Sequence, residues 1–268
     1  IPEVFGVLEE GTAEKPAVTK ESVHHYFKYV SGKPLKRPAW FFDVAQQGEA
    51  IVDVTTHLVD LVQWECFPGQ VLDAGKDVEI MSARRWITKI TPAQFQKATL
   101  LETYPDCLKK DVGPDNALNV YGNGEFVYKL KGVYAKVSVM WDFEPPEDAQ
   151  DTHYSIMRGS KADLIIRQGK EQNYKPTLYV ERKSAVSDDA FDKLLKAGAA
   201  KVNVSFPGVE VKKNVHGWEL VVPDKYKVGH EAHFAQVTGQ PTDRVPIWLL
   251  FPWHRASRDE AWRALIGR

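Results

Sequence analysis

Apolar residues along the chain shift from a helical to an alternating rhythm about one third of the way through. Val4–Leu8 is a short apolar run and predicts a strand. Thr19 stands as an N-cap ahead of Val23, Phe27 and Val30, whose spacing predicts a helix from Thr19 to Val30. The Gly and two Pro of Ser31–Pro38 mark a loop, and Ala39–Val44 has strand character. From Gly48 the chain reads GEAIVDVTTHLVDLVQWECF to Phe67 and stops at Pro68-Gly69. At helical spacing, Ile51, Val54, Leu58, Leu61 and Val62 then share a core-facing arc.

Downstream the pattern is mainly that of strands. Val78–Ile90 is rich in β-formers. Gly122-Asn123-Gly124 predicts a hairpin turn joining Leu118–Tyr121 to Phe126–Leu130. Val133–Phe143, His153–Met157, Leu164–Arg167 and Thr177–Glu181 follow as strands at short intervals. Ser187 caps a predicted helix to Ala200 with Phe191, Leu194 and Leu195 on one face. Short strands at Val209–Val211 and Trp218–Val222 precede a helix from Glu231 to Val237. A helix-bearing first third followed by many strands is an α+β pattern: an open, largely antiparallel mixed sheet with helices packed on one face. Residues 1–242 form that domain, and 243–268 read as a tail rich in Trp and Arg.

Charge narrows the function. Lys and Arg number 35, Asp and Glu 36, a formal balance of −1 that offers no electrostatic footprint for nucleic acid. No apolar run reaches the roughly 20 residues of a membrane-spanning helix. Cys66 and Cys107 are too few for a zinc cage or a disulfide framework. The chain has no G-x-G-x-x-G turn, no phosphate-binding G-x-x-x-x-G-K-[ST] loop, no G-x-S-x-G elbow and no H-E-x-x-H. His230 and His233 are three apart but lack a third ligand, and His24-His25 on a helix would point about 100° apart. No metal site is read.

One constellation carries chemistry. On the helix starting near Gly48, Asp53, His57, Asp60 and Trp64 fall within about 60° of one another, away from the core arc. A carboxylate one turn before an imidazole can fix the ring's tautomer and raise its basicity, as proton exchange with a hydroxyl requires. The same spacing also suits a solvated polar face, so spacing alone leaves both readings open.

The string GEAIVDVTTHLVDLVQW resembles the G-G-x-x-x-D-x-x-x-H-x-x-D-x-x-x-W segment of the Gfo/Idh/MocA oxidoreductases, with Asp53, His57 and Asp60 at its D-x-x-x-H-x-x-D positions. MRGSKADLIIRQG (Met157–Gly169), ESVHHYFKYVSGKPLKRPAWFFDV and GHEAHF are similar to a bacterial subgroup known as an oxidoreductase C-terminal domain. The resemblance covers about Val4 to Val237, and the final stretch departs from it. It implies a substrate-binding and oligomerising C-terminal domain, partnered with an N-terminal Rossmann domain that binds NAD or NADP and lies outside this chain. The substrate would be a sugar or polyol, and the oligomer would form through the sheet. His57 would exchange the hydroxyl proton, Asp53 would orient substrate hydroxyls, and Asp60 and Trp64 would bind or support. No cofactor-binding residue is assigned here, and no cofactor is expected on this chain alone. Glu14-Lys15-Pro16 reads like the family's E-K-P motif but has no strand–helix context around it, so Lys15 is read as a loop residue. The alternative is a non-catalytic carbohydrate-binding or protein-interaction domain.

Overall fold

The computed structural model describes residues 2–30, 32–183 and 185–227. The predicted helix at Glu231–Val237, the His230/His233 pair and the tail at 243–268 lie outside the described residues. The α-helices among the described residues are α1 (Pro2–Phe5), α2 (Val44–Gln47), α3 (Val54–Cys66), α4 (Ala74–Asp77), α5 (Pro92–Thr99) and α6 (Asp188–Val202). The strands are β1 (Val18–His25), β2 (Tyr29–Val30), β3 (Lys33–Pro34), β4 (Val78–Ile90), β5 (Leu118–Leu130), β6 (Val133–Asp142), β7 (Thr152–Arg158), β8 (Ala162–Gln168), β9 (Thr177–Arg182), β10 (Glu210–Asn214) and β11 (Gly217–Val221).

Nine strands form one sheet in the order β10-β11-β9-β8-β7-β1-β6-β5-β4. β1 lies in its middle, parallel to β6 and antiparallel to β7, and the other pairs are antiparallel. This is the expected mixed α+β architecture. α3 lies across β1 and β6 on one face. Strand alternation puts Val18, Lys20, Ser22 and His24 on that face beside Ala135, Val137, Val139 and Trp141. Leu58 and Val62 of α3 are buried against it, while Val54 and Leu61 are half-buried and Ile51 is more exposed than the predicted core arc implied. Farther along, Ser187 caps α6 by accepting from the Ala190 amide, and Phe191 packs on Trp218 of β11 with ring centroids 4.9 Å apart.

Four local expectations are corrected. Residues 18–25 are the central strand, not a helix. Lys20, Ser22 and His24 put polar side chains on a covered face, so the binary pattern there does not read as a strand. Val4–Leu8 is not a strand: Pro2–Phe5 is a helical turn ended by Gly6 at φ 80°, and only Leu8 makes an isolated bridge, to Gly159. Ala39–Phe42 is a 3₁₀ turn, after which Asp43 caps α2 by accepting from Ala45 N–H at 3.1 Å. Gly122-Asn123-Gly124 is not a turn; it lies inside β5. The hairpin closes instead at Lys131-Gly132, both at positive φ (49° and 87°), as a two-residue turn between twisted strands demands.

The two mid-strand glycines are needed for close approach. A Cβ on Gly122 would lie 2.0 Å from the Tyr26 hydroxyl and 3.0 Å from Trp141 Cβ. On Gly124 it would lie 2.9 Å from Ile51. These contacts let Tyr26 and the segment leading into α3 sit directly on the sheet. Gly122→Ala should therefore destabilise the domain by about 1–3 kcal/mol through overpacking. A urea denaturation midpoint that falls accordingly is the expected result, and an unchanged midpoint would show that Gly122 does not pack against Tyr26 and Trp141.

Candidate functional site

The parallel pair β1 and β6 runs in one direction, so its two C-terminal ends meet at one place. His24 is opposite Trp141 there, and His25 is opposite Asp142. The His24 ring stacks on Trp141 at 5.0 Å, with 28° between planes, and Tyr26 packs on the same indole at 5.1 Å. Asn123 locks this wall: its Oδ1 accepts from Trp141 N–H at 2.8 Å, and its Nδ2 donates to Trp86 O at 3.1 Å and Thr88 Oγ1 at 2.8 Å. Arg37 reaches in from the loop before the 3₁₀ turn. Its Nε donates to Tyr26 O at 2.6 Å and its Nη2 to His25 O at 3.1 Å, and its guanidinium lies 4.1 Å over the Phe41 ring.

Asp151, the residue before β7, is the electrostatic knot. His25 Nδ1 lies 2.9 Å from Oδ1, and His24 Nδ1 lies 3.2 Å from Oδ2. Lys28 also donates to Oδ2. A carboxylate only accepts, so each ring donates to it from Nδ1, while His24 Nε2 lies 3.1 Å from Ser22 Oγ. Burial pulls the Asp151 carboxyl upward, but the two histidine hydrogen bonds and the Lys28 charge outweigh it and hold it well below the usual carboxylate range.

Asp53 occupies the N-cap position of α3, yet its side chain does not cap the helix. The carboxylate is half-buried. Burial raises its pKa, opposed by a hydrogen bond with Gln47 and by the charges of His24 and Arg37. Burial likewise lowers the Arg37 pKa, against the pull of Asp151, Tyr26 and Asp53. The Tyr26 hydroxyl is pushed up by burial, with Arg37 opposing and Asp53 adding to the rise. Asp53, Arg37, Tyr26 and His24 thus share one electrostatic environment.

The helix itself starts at Val54, later than its periodicity predicts, because Gly48 (φ 88°) and residues 49–53 form a turn. Thr55 Oγ1 secures that turn by donating to Ala50 O at 2.6 Å. His57 and Trp64 are half-buried on α3. Asp60 lines a different place, a cleft of about 530 Å³ that Thr56, Val59 and Gln63 share with Val78, Ile80, Phe126 and Tyr128. Of the four predicted site residues, Asp53 is thus beside the His24–Arg37 cluster, His57 follows it one turn on, and Asp60 faces the cleft toward β4 and β5. Among the described residues no three His, Cys, Asp or Glu side chains are grouped to hold a metal ion. No helix among them is long and apolar enough to cross a membrane.

His24, Arg37 and Asp151 were not singled out from sequence as site residues. His24 and His25 were read on a helix and weighed only as metal ligands; on a strand, both rings instead reach one carboxylate. Asp151 lies in an acidic loop with no motif, 98 residues after Asp53, and no local signal marks it.

The large, mostly antiparallel mixed sheet with its helices is an α+β fold like that of dehydrogenase C-terminal domains. A family model described as "putative oxidoreductase C terminal domain" matches residues 1–244, and the chain belongs to that family. It is similar to a "putative oxidoreductase" of Parabacteroides merdae, with 50% identity and a TM-score of 0.85 over 100% of this chain and 61% of that one. The chain therefore spans less than two thirds of that relative's length. Weaker likenesses include levoglucosan dehydrogenase in complex with NADH and levoglucosan (12% identity, TM-score 0.38, 69% of this chain and 38% of that one). Another is Gal80p of Saccharomyces cerevisiae (9% identity, TM-score 0.32, 76% and 47%). No curated protein matches.

Asp151 has a depressed pKa in the folded state, so its contribution to stability is present above the unfolded carboxylate pKa of about 3.9 and is lost as pH falls below it. Asp151→Asn should cost about 3 kcal/mol at neutral pH by leaving buried cationic donors uncompensated. It should also flatten the acid limb of a stability-versus-pH curve measured by urea unfolding. An unchanged acid limb would show that the knot does not form.

Proposed function

We propose that this chain is the substrate-binding and oligomerising domain of an NAD(P)-dependent oxidoreductase acting on a sugar- or polyol-like alcohol, with Asp53 and His57 as its proton-handling groups. The observation that carries this reading is Asp53. Its carboxylate is withdrawn from solvent at a helix start, its proton affinity is raised by burial, and a guanidinium and an imidazole flank it. Such a group can hold a substrate hydroxyl or take its proton near neutral pH. His57 follows one turn later on the same helix, and Trp64 and Asp60 would support or bind from farther along α3.

Among the described residues no glycine-rich turn connects a strand to a helix N-terminus to receive a pyrophosphate. Nicotinamide chemistry would belong to a Rossmann domain partnered with this one, and membership of an oxidoreductase family supports that reading.

The sheet face opposite α3 supports an oligomer through the sheet. There Arg84, Glu125, Lys136 and Glu21 form a charge ladder across β4, β5, β6 and β1, with contacts of 3.1, 3.0 and 3.0 Å. Charges already paired within the face cost less to bury against a second copy than isolated ones.

In the intact oxidoreductase, His57→Ala and Asp53→Asn should each lower turnover by about 10²–10⁴-fold, the usual size of an acid–base contribution. Normal turnover in both variants would favour the non-catalytic binding-domain reading. NADH should raise the melting temperature of the intact protein but not of this chain alone. A clear shift with this chain would mean that it carries a cofactor site of its own.

A further inference from the structure

Lys20 lies at the centre of β1, 1% exposed, on the face that α3 covers. Its ammonium donates to Glu65 Oε1 at 2.9 Å and to Ser155 Oγ at 2.8 Å, and it lies 2.8 Å from Glu65 Oε2. Glu65 belongs to the last turn of α3 and is 5% exposed; Ser155 on β7 is fully buried. Three elements that hold the site, β1, β7 and α3, therefore meet at one ammonium group.

Such a group is a poor way to gain stability. Desolvating both ions costs about as much as their attraction returns, and apolar residues of similar volume often do as well or better at buried ion pairs. Apolar packing, however, tolerates small rotations and slides of a helix, whereas two hydrogen bonds at 2.9 and 2.8 Å, to partners on two different elements, do not. Glu65 lies about 12 Å along the helix axis from His57 and about 18 Å from Asp53. A rigid helix pinned at its C-terminal turn presents its other end at a fixed azimuth. Elsewhere along α3, Leu58 and Val62 pack as ordinary aliphatics, and one flank of the helix borders the 530 Å³ cleft.

We infer that Lys20, Glu65 and Ser155 are positioning residues, a buried polar junction that fixes the rotation and height of α3 and so the placement of Asp53 and His57 beside His24 and Arg37. The functional half of this inference rests on the oxidoreductase reading above; the mechanical half does not.

The test uses Lys20→Met combined with Glu65→Leu, with Ser155→Ala as the milder variant should the double one fail to fold. In this chain, the double variant should melt at or above the wild-type temperature, while hydrogen exchange at the Leu58–Val62 amides accelerates about tenfold. Ser155→Ala should accelerate the same amides several-fold. In the intact oxidoreductase with a neutral polyol, kcat should fall about tenfold with KM nearly unchanged. That loss should disappear when the variant is made in an Asp53→Asn background, because the two changes act through the same group. Unchanged exchange and unchanged kcat in a folded variant, with Asp53→Asn still impaired, would overturn the positioning role alone. If Asp53→Asn itself leaves turnover normal, the oxidoreductase assignment of Asp53 fails, and the exchange data decide the mechanical claim by themselves.

Discussion

A charged amine in the middle of a nine-stranded sheet constrains everything around it. Lys20 cannot be left unpaired at 1% exposure, so α3 must deliver Glu65 and β7 must deliver Ser155 to its ammonium. Burial raises the Glu65 pKa, and the Lys20 charge opposes that rise. The register of β1 against β7 sets Lys20 opposite Ser155, and α3, crossing β1 and β6, brings Glu65 to the same ammonium. A slip of one residue in β1 would turn Lys20 to the opposite face and strand all three groups.

The site inherits its geometry from that arrangement. With β1 parallel to β6, the two strands end together, so His24 and Trp141 form a wall. With α3 pinned, its first residues arrive above the same wall, and Gly122 and Gly124 leave room for Tyr26 and Ile51 to close down on β5. Asp53 then sits where water is thinned but positive partners are near, which is why it forgoes capping its own helix. The knot at Asp151 does for the loop before β7 what Glu65 does for α3: it makes one carboxylate answer to several donors from one segment of chain. Both devices place polar groups within the covered part of the fold.

Much of this was legible in the sequence, and the failures have physical causes. The long strands β4 and β6, the short ones from β7 to β9, and α6 with its Ser187 cap announce themselves because each obeys the expected rhythm for its type. β1 does not, since its covered face carries Lys20, Ser22 and His24, and the chance spacing of Val23 with Phe27 imitates a helix. The true hairpin turn at Lys131-Gly132 is a weak signal beside Gly122-Asn123-Gly124, whose glycines answer to neighbours distant in sequence. α5 was missed although Thr91, Pro92 and Gln94 spell a capping box. The D-x-x-x-H pattern located Asp53 and His57, but separating Asp60 from them required seeing that the Thr56, Val59 and Gln63 flank borders a cleft. Asp151 and Arg37 gain meaning only from tertiary contact, which no window of sequence contains.

The most direct test of the central claim is a crystal structure of the intact oxidoreductase with a nicotinamide cofactor and a neutral polyol bound. A polyol hydroxyl should lie within hydrogen-bonding distance, about 3 Å, of the Asp53 carboxylate or the His57 ring, with the nicotinamide on its far side. A polyol bound away from the start of α3, with Asp53 and His57 contacting only protein, would contradict the assignment of this helix as the catalytic element.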